Sequence, residues 1–531
     1  MSAPGAAPAA NPNLAARLAE VAARHADRAA LVEYAGGGVR RISFGELAAQ
    51  VEALGGGFRA AGVGPGGRVL LFVPMCADLY ALLLGCLHAG GTAVFVDAWA
   101  DRRRLDAAVA AARPQLFVGS PGAQLLRLLS PAVRGIPRHW WVGRRWLRAG
   151  RYARADLAGT AMRVDADAPA LVTFTTGSTG RPKAAARSHA FLWAQHQALA
   201  AHLQPRPDDV DLPTLPVFVL NNLALGVTSV LPDFDPRFPA RIDPARIHRQ
   251  LVAEGVTTSS GSPAFYARLA EWCAATGCRL PLRALWTGGA PVYPPLARLL
   301  AERVEGRAHV VYGSTEAEPI AGIEAGALVR ASEQQPAGGV CVGRPAWGVA
   351  LRLVRPHDDA LELGEGGWAE WEVGAGEVGE VVVAGEHVLG EYLDAPEETR
   401  RHKIGDGARV WHRTGDAARL DDEGRLWLMG RVGGRVRRAG RVWWSTPPEA
   451  AALRVPGVTH AAYLGLPDAA LGERAVLCVE TVSGAAAPTL ESVRAAVCPS
   501  PVDELRLLRR IPRDPRHASK TDYAALRRQL G

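Results

Sequence analysis

The chain reads as an α/β protein with a large doubly wound body and a small C-terminal unit. Three observations predict this. Apolar strand-like runs alternate with helical patterns through the first two-thirds of the 531 residues, the mark of βαβ units around a largely parallel sheet. After about Gly348 the texture changes to short alternating strands separated by Gly, Asp and Glu. A Gly/Arg-rich run, Gly430–Arg441, then leads into a compact segment ending at Gly531, and reads as a hinge between two domains.

The elements follow in order. Asn13 is a cap for a helix expected to run to about Ala30, with Leu14, Leu18, Val21 and Ala22 on one face. Val69–Val73, a helix near Asp78–His88, Thr92–Val96, a helix near Arg103–Ala112 and Leu116–Val118 come next. Leu79–Val96 is the most apolar stretch. Gly85, His88, Gly90 and Gly91 interrupt it, so it predicts a buried helix, a glycine turn and a buried strand rather than a membrane span. The pattern resumes near Thr173, Leu285-Trp286-Thr287 and His309-Val310-Val311. Leu351–Val354, Gly379–Val383 and Leu426–Met429 predict a small antiparallel subdomain, and Thr521–Leu530 a last helix.

Composition narrows the function classes. Hydrophobic residues make up 48% and charged residues 21%, which is enough to bury a core and too apolar for disorder. The net charge of +8 suits an anionic ligand or a membrane surface, and equally an Arg-rich coding bias. The seven cysteines are scattered, with no CxxC pair or Cys/His cluster, which argues against a disulfide framework or structural zinc and fits a reducing cytoplasm. The start, MSAPGAAPAANPN, lacks the basic and apolar regions of a secretory signal. Arg138–Arg154 interleaves Trp140, Trp141, Trp146 and Tyr152 with Arg144, Arg145, Arg148, Arg151 and Arg154. Such a stretch could touch nucleic acid or lipid headgroups, but reads first as a solvated loop with its tryptophans turned inward, so no nucleic-acid partner is expected.

The run Thr173–Lys183, TFTTGSTGRPK, carries the first chemical signal. Its Gly-x-x-Gly-x-x-Lys spacing is not that of a Walker loop. Glycines still let backbone N–H groups approach phosphate oxygens, hydroxyls add donors, and Lys183 adds charge. A polar β-turn is the plain alternative, weakened by the apolar strand before it and the Pro-Lys exit after it. Further along stand Trp286-Thr287-Gly288-Gly289-Ala290-Pro291, Tyr312-Gly313-Ser314-Thr315-Glu316, Arg413-Thr414-Gly415-Asp416, Gly430-Arg431, and Lys520 after Ile511-Pro512-Arg513.

Taken together and in this order, these motifs resemble the ANL adenylate-forming superfamily of acyl-CoA synthetases, luciferases and peptide-synthetase adenylation domains. The resemblance covers nearly the whole chain. It implies an AMP-binding domain over residues 1–430, with doubly wound βαβ subdomains and a small β-barrel, and a mobile α+β lid over 431–531. It also implies ATP, Mg²⁺, a small-molecule carboxylic acid, and a CoA or carrier-protein thiol as a possible acceptor. By resemblance, Thr175, Thr176, Gly177, Ser178, Thr179, Gly180 and Lys183 hold the β- and γ-phosphates. Gly288, Gly289, Ala290 and Tyr312 pack on adenine, Gly313 and Ser314 also bind the nucleotide, and Thr315 meets the α-phosphate. Glu316 ligates Mg²⁺, Asp416 and Arg431 hold the ribose, Gly433 is the hinge, and Lys520 bridges carboxylate and phosphate as charge develops. Taken one by one, Glu316 and Asp416 could be surface carboxylates, Arg431 part of a basic face, and Lys520 the solvated start of the last helix. A nucleotide-binding protein without turnover is the remote alternative.

Phe218, Val219, Asn221 and Leu223 lie where the family's acyl pocket begins, and no carboxylate there could pair with an amino-acid ammonium. An apolar, fatty acid is therefore expected. Four places depart from the family pattern: Ala184 after Pro-Lys, Gly433 in place of an aspartate latch, Val442–Glu449 (VWWSTPPE) near the expected pantetheine tunnel, and Leu215–Asn222 without a gating histidine. The stretches Gly91–Leu105, Lys403–Asp416, Gly430–Glu449 and Asp514–Lys520 resemble a subgroup containing the olefin-pathway β-lactone synthetases, in which His517 also joins the lysine motif. Two second steps follow: transfer to a thiol, the commoner outcome in the superfamily, or closure of a β-hydroxyacyl-adenylate to a β-lactone.

Overall fold

The computed structural model describes residues 11–35, 38–96, 101–143, 148–176, 182–481, 488–514 and 519–531. Among them the strands form three sheets. In the six-stranded sheet, strands Arg138–Trp141, Leu116–Gly119, Arg68–Phe72, Thr92–Phe95 and Pro169–Thr176 run parallel in that spatial order, and Pro182–Ser188 closes the edge antiparallel. Helices Ala77–His88 and Arg102–Ala112 are the crossovers. Every residue of Ala77–His88 is buried, so this most apolar run is core helix, with the turn and the strand Thr92–Phe95 behind it as expected. Among the described residues no helix is long and apolar enough to cross a membrane.

In the large sheet, Ala29–Ala35, Thr228–Leu231, Val210–Pro213, Thr258–Gly261, Ala284–Gly288 and Arg307–Ser314 are parallel neighbours. The antiparallel strands Ala350–Val354, Gly379–Ala384, Val410–Leu420 and Leu426–Arg431 continue this sheet through Val340–Pro345. The third sheet, five-stranded, is built from residues between Val436 and Leu508 and has its own buried core around Tyr463, Leu477 and Val479.

Two element boundaries differ from expectation. The first helix spans Leu14–His25, capped by the Asn13 side chain, and does not reach Ala30. Leu31–Glu33 pair instead with Ser229–Leu231, and sheet pairing overrides the helix propensity of the alanines there. The last helix starts at Tyr523, because Asp522 caps it by accepting from the Ala525 N–H at 2.8 Å, so Lys520 precedes the helix rather than forming its first turn.

Candidate adenylation site

Parallel sheets place ligands at the carboxyl ends of their strands, and the motifs at Thr175–Thr176, Gly288–Ala290 and Tyr312–Glu316 fall there. Strands Ala284–Gly288 and Arg307–Ser314 are direct neighbours, with Gly288 opposite Val311. A Cβ on Gly288 would lie 2.4 Å from the Val311 carbonyl oxygen, and Gly289 has φ +81°, so both glycines of this turn are structurally required. Ala290 follows, half-buried. Strand Arg307–Ser314 returns as Ala317–Glu324 with a register shift between Tyr312 and Ser314. This bulge at Gly313 leaves Thr315 and Glu316 as the turn, which is how bulges re-aim side chains at sites. The Ser314 hydroxyl is buried with no hydrogen-bond partner among the described residues.

The structure brings Tyr312, Asp416 and Arg431 together. The Tyr312 hydroxyl donates to one Asp416 carboxylate oxygen at 2.8 Å, and Arg431 donates to the other, also at 2.8 Å. Burial first, and then the Asp416 charge, hold the Tyr312 phenol well above its ordinary pKa. Asp416 thus presents a two-oxygen acceptor, the geometry a ribose diol needs. The turn before it is fixed from behind. Arg413 is buried and donates to Glu380 at 2.7 and 3.1 Å, and Glu380 in turn accepts the Gly415 N–H at 3.2 Å.

Pro169–Thr176 and Pro182–Ser188 form a hairpin in which Thr175 faces Lys183. The backbone of Thr175 and Thr176 belongs to the first strand. Gly177, Ser178, Thr179 and Gly180 lie outside the described residues, as does His517. Lys183 is buried, 2.7 Å from Glu398, 3.1 Å from His402 Nε2, and 5.4 Å from the centre of the Tyr392 ring. Tyr392 donates its hydroxyl to Glu316 at 2.9 Å. Lys403, also buried, has its ammonium 5.3 Å from the same ring and donates to the Leu389 carbonyl. Burial pushes the Lys403 amine down to about 7 against the opposing pull of Glu316. Tyr392, Glu398 and His402 escaped the motif reading, and Lys403 entered it only as the first residue of the stretch Lys403–Asp416. Their only local signal is Glu398 and His402 at i, i+4 on helix Pro396–His402.

Lys520 is half-buried, and its carbonyl accepts from the Asp514 N–H at 2.8 Å. Three residues on, Tyr523 donates to Glu449, which also accepts from the Tyr463 N–H at 2.9 Å and from Tyr293, just after the Gly288–Ala290 turn, at 2.8 Å. One buried carboxylate therefore ties the lysine-bearing segment to the large body. Burial raises the Glu449 carboxyl from 4.5 to about 7. A raised folded-state value means that stability is full below pH 4.5 and is lost as pH rises through 7. Glu449→Gln keeps the group neutral. The unfolding free energy of wild type relative to this variant should fall by about 3 kcal/mol between pH 4.5 and 8. Parallel denaturation profiles across that range would contradict the assignment.

Gly433 sits in a short turn, Val432–Gly434, without positive φ, and a Cβ there would meet nothing within 4 Å. Charged contacts nearby come from the residues that follow: Arg435 donates to both oxygens of Asp358 at 2.9 Å, and Arg437 to one at 2.6 Å, tying this segment to the large body.

Helix Pro216–Leu225 buries Phe218, Val219, Asn221 and Leu223. Leu223 and Asn221 line a cavity of about 70 Å³ that is otherwise mostly leucine, including Leu14, Leu18, Leu83, Leu87 and Leu192. From the neighbouring helix, His196 Nδ1 lies 2.8 Å from the Asn221 carboxamide oxygen. The Asn221 nitrogen has no partner among the described residues.

With this geometry in place, comparison with known proteins decides the family. The family model of AMP-binding enzymes matches residues 18–393. The chain belongs to the AMP-binding, adenylate-forming enzymes. It is 35% identical over 515 residues to an olefin beta-lactone synthetase of Xanthomonas campestris pv. campestris, covering 91% of this chain and 90% of that protein. It is 34% identical to the olefin beta-lactone synthetase of Stenotrophomonas maltophilia, covering 89% and 88%. A feruloyl-CoA synthase from an Amycolatopsis species is 29% identical over 81% of this chain and 82% of its own. The fold matches that of the amide bond synthetase McbA of Marinactinospora thermotolerans, with a TM-score of 0.81 at 24% identity over 98% and 100% of the two chains. It also matches that of ATP-bound MatB of Rhodopseudomonas palustris, with a TM-score of 0.79 at 23% identity over 98% and 99%. The enzyme is thus an AMP-forming ligase or synthetase of two-domain α/β fold.

Proposed function

We propose that the enzyme adenylates a β-hydroxy acid with an apolar chain and closes the acyl-adenylate to a β-lactone. The observation that carries this reading is the similarity to two olefin beta-lactone synthetases over about nine-tenths of the chain. It reverses the order of the two second steps expected from the sequence, where thiol transfer came first. The leucine-lined cavity beside helix Pro216–Leu225 supports an apolar acid.

In the first step a carboxylate oxygen bonds to the α-phosphorus of ATP, and the bond to pyrophosphate breaks. Charge grows on the oxygens around phosphorus, so cations and donors must converge there. Lys183 lies opposite Thr175, and the Thr175–Gly180 run is proposed to hold the β- and γ-phosphates. Thr315 is assigned to the α-phosphate and Lys520 to the bridging position between carboxylate and phosphate. Asp416 and Arg431 take the ribose, and the Gly288–Ala290 turn with Tyr312 takes adenine. Residues 431–531 act as the lid carrying Lys520, pivoting near Gly433.

Among the described residues no group of three or more His, Cys, Asp or Glu side chains could hold a metal alone. Glu316, whose carboxylate accepts from Tyr392, would hold a hard ion such as Mg²⁺ beside the phosphates. When bound, the ion offsets phosphate charge. In the second step the substrate's β-hydroxyl oxygen bonds to the acyl carbon. The acyl–oxygen bond to AMP breaks, the hydroxyl proton leaves, and the products are β-lactone and AMP. Seven free cysteines fit a reducing cytoplasm.

Mass spectrometry of products from ATP, Mg²⁺ and a panel of fatty and β-hydroxy acids, with and without CoA, tests this. The expected product is the β-hydroxy acid less one water, formed without CoA. A CoA thioester formed in place of the lactone would sink the lactone reading.

A further inference from the structure

The arginine-rich stretch set apart in the sequence is not used by the adenylation site. Between Pro121 and Arg154 there are eight arginines and no Asp or Glu. The chain has 61 Lys and Arg against 53 Asp and Glu, so the other 53 basic residues are balanced and the whole net charge of +8 resides in this one stretch. Its described residues, 121–143 and 148–154, fold together at one edge of a sheet. Strand Arg138–Trp141 is the edge of the six-stranded sheet. The short helices Pro121–Gln124 and Leu126–Leu129 precede it, tied on by Gln124 Nε2 donating to the Trp140 carbonyl at 2.8 Å. Behind it, the Trp141 N–H donates to the Tyr152 hydroxyl at 2.7 Å, and the Tyr152 ring stacks on Trp140 at 4.4 Å.

Trp140 is buried, as expected, but Trp141 is 41% exposed. With it, Leu125, Leu128 and Leu129 are 59%, 71% and 62% exposed. Their i, i+3, i+4 spacing puts these leucines on one side of a helical turn. Arg134, Arg138, Arg148 and Arg151 are exposed and make no ion pair with a carboxylate among the described residues. Exposed leucines and a tryptophan amid unneutralised arginines match an anionic bilayer surface, whose headgroups take the guanidinium charge while its acyl region takes the apolar side chains. Nucleic acid would use the charge but leave the three leucines in water.

We propose that this sheet edge docks the enzyme on anionic phospholipid membranes. Such docking would place the enzyme where apolar acids partition, and it holds whichever second half-reaction the enzyme performs.

The test is sedimentation of the full-length enzyme with vesicles of phosphatidylcholine alone and with one-third phosphatidylglycerol, at low and high salt. Binding is expected to the anionic vesicles, weakening with salt. Arg138→Gln/Arg148→Gln/Arg151→Gln should lose about a hundredfold in partitioning, at about fivefold per arginine. Leu128→Ser/Leu129→Ser should lose at least about tenfold. Both variants should release pyrophosphate at the wild-type rate with a short, soluble acid. Failure to bind anionic vesicles, undiminished binding by either variant, or binding to an RNA or DNA oligomer without vesicle binding would overturn the proposal.

Discussion

Lys520→Ala should cut acid-dependent pyrophosphate release by about 100- to 1,000-fold, the effect of removing one group aimed at developing transition-state charge. The reaction gains negative charge on the phosphate oxygens in the transition state, and a cation that meets it there lowers the barrier more than it tightens substrate binding. The loss should therefore lie in kcat, with little change in KM for ATP. The segment carrying Lys520 is anchored by other groups. Arg513 pairs with Glu480 at 3.1 Å, the backbone of Asp514 bonds that of Lys520, and Tyr523 reaches Glu449. The thermal midpoint should accordingly be unchanged. Closure of a chemically supplied acyl-AMP should be affected far less. Wild-type pyrophosphate release from the variant would remove Lys520 from the chemistry.

Arg413→Ala should destabilise the protein by about 3–5 kcal/mol, because it strands Glu380 as a buried unpaired charge. The two side chains are 5% and 3% exposed, and Arg413 also donates to the His357 and Arg401 carbonyls at 2.6 and 3.3 Å. The same pair sets the position of Gly415, one residue before Asp416. KM for ATP should therefore rise in whatever fraction stays folded. Replacing both partners with apolar residues of similar size, Arg413→Met with Glu380→Leu, should restore most of the stability but not the ATP affinity, since the Gly415 N–H loses its acceptor. Denaturant unfolding and ATP titration separate the two effects. A single variant as stable as wild type would show that the pair does not hold this turn.

The sequence carried local information well. Alternating strand and helix patterns located the βαβ units, and the order of glycine turns, YGSTE, RTGD and the late lysine pointed to the family, because each motif is a short segment whose backbone shape its own residues dictate. What it missed was long-range. Tyr392, Glu398, His402 and Lys403 gather around Lys183 and Glu316 only once helix Pro396–His402 packs over the hairpin. His196 reaches Asn221 from another helix. Asp358 meets Arg435 and Arg437 across 77 and 79 residues of chain. The overlong first helix failed for the same reason: Ala29 and Ala30 favour helix locally, and sheet pairing decides otherwise. The motif Arg413-Thr414-Gly415-Asp416 shows both sides, since Asp416 stood out as a ligand while the structural burden on Arg413 became visible only with Glu380 behind it.

In the proposed reaction the carboxylate is activated as an acyl-adenylate, and the substrate's own hydroxyl then displaces AMP from the acyl carbon. The most direct measurement uses a β-hydroxy acid with both carboxylate oxygens replaced by oxygen-18, with mass spectrometry of AMP and lactone. Activation at the carboxylate predicts AMP carrying one heavy oxygen, and a lactone whose carbonyl oxygen is heavy and whose ring oxygen is light. Unlabelled AMP together with a lactone retaining both heavy oxygens would mean that the hydroxyl, not the carboxylate, was activated, and would rule this reaction out.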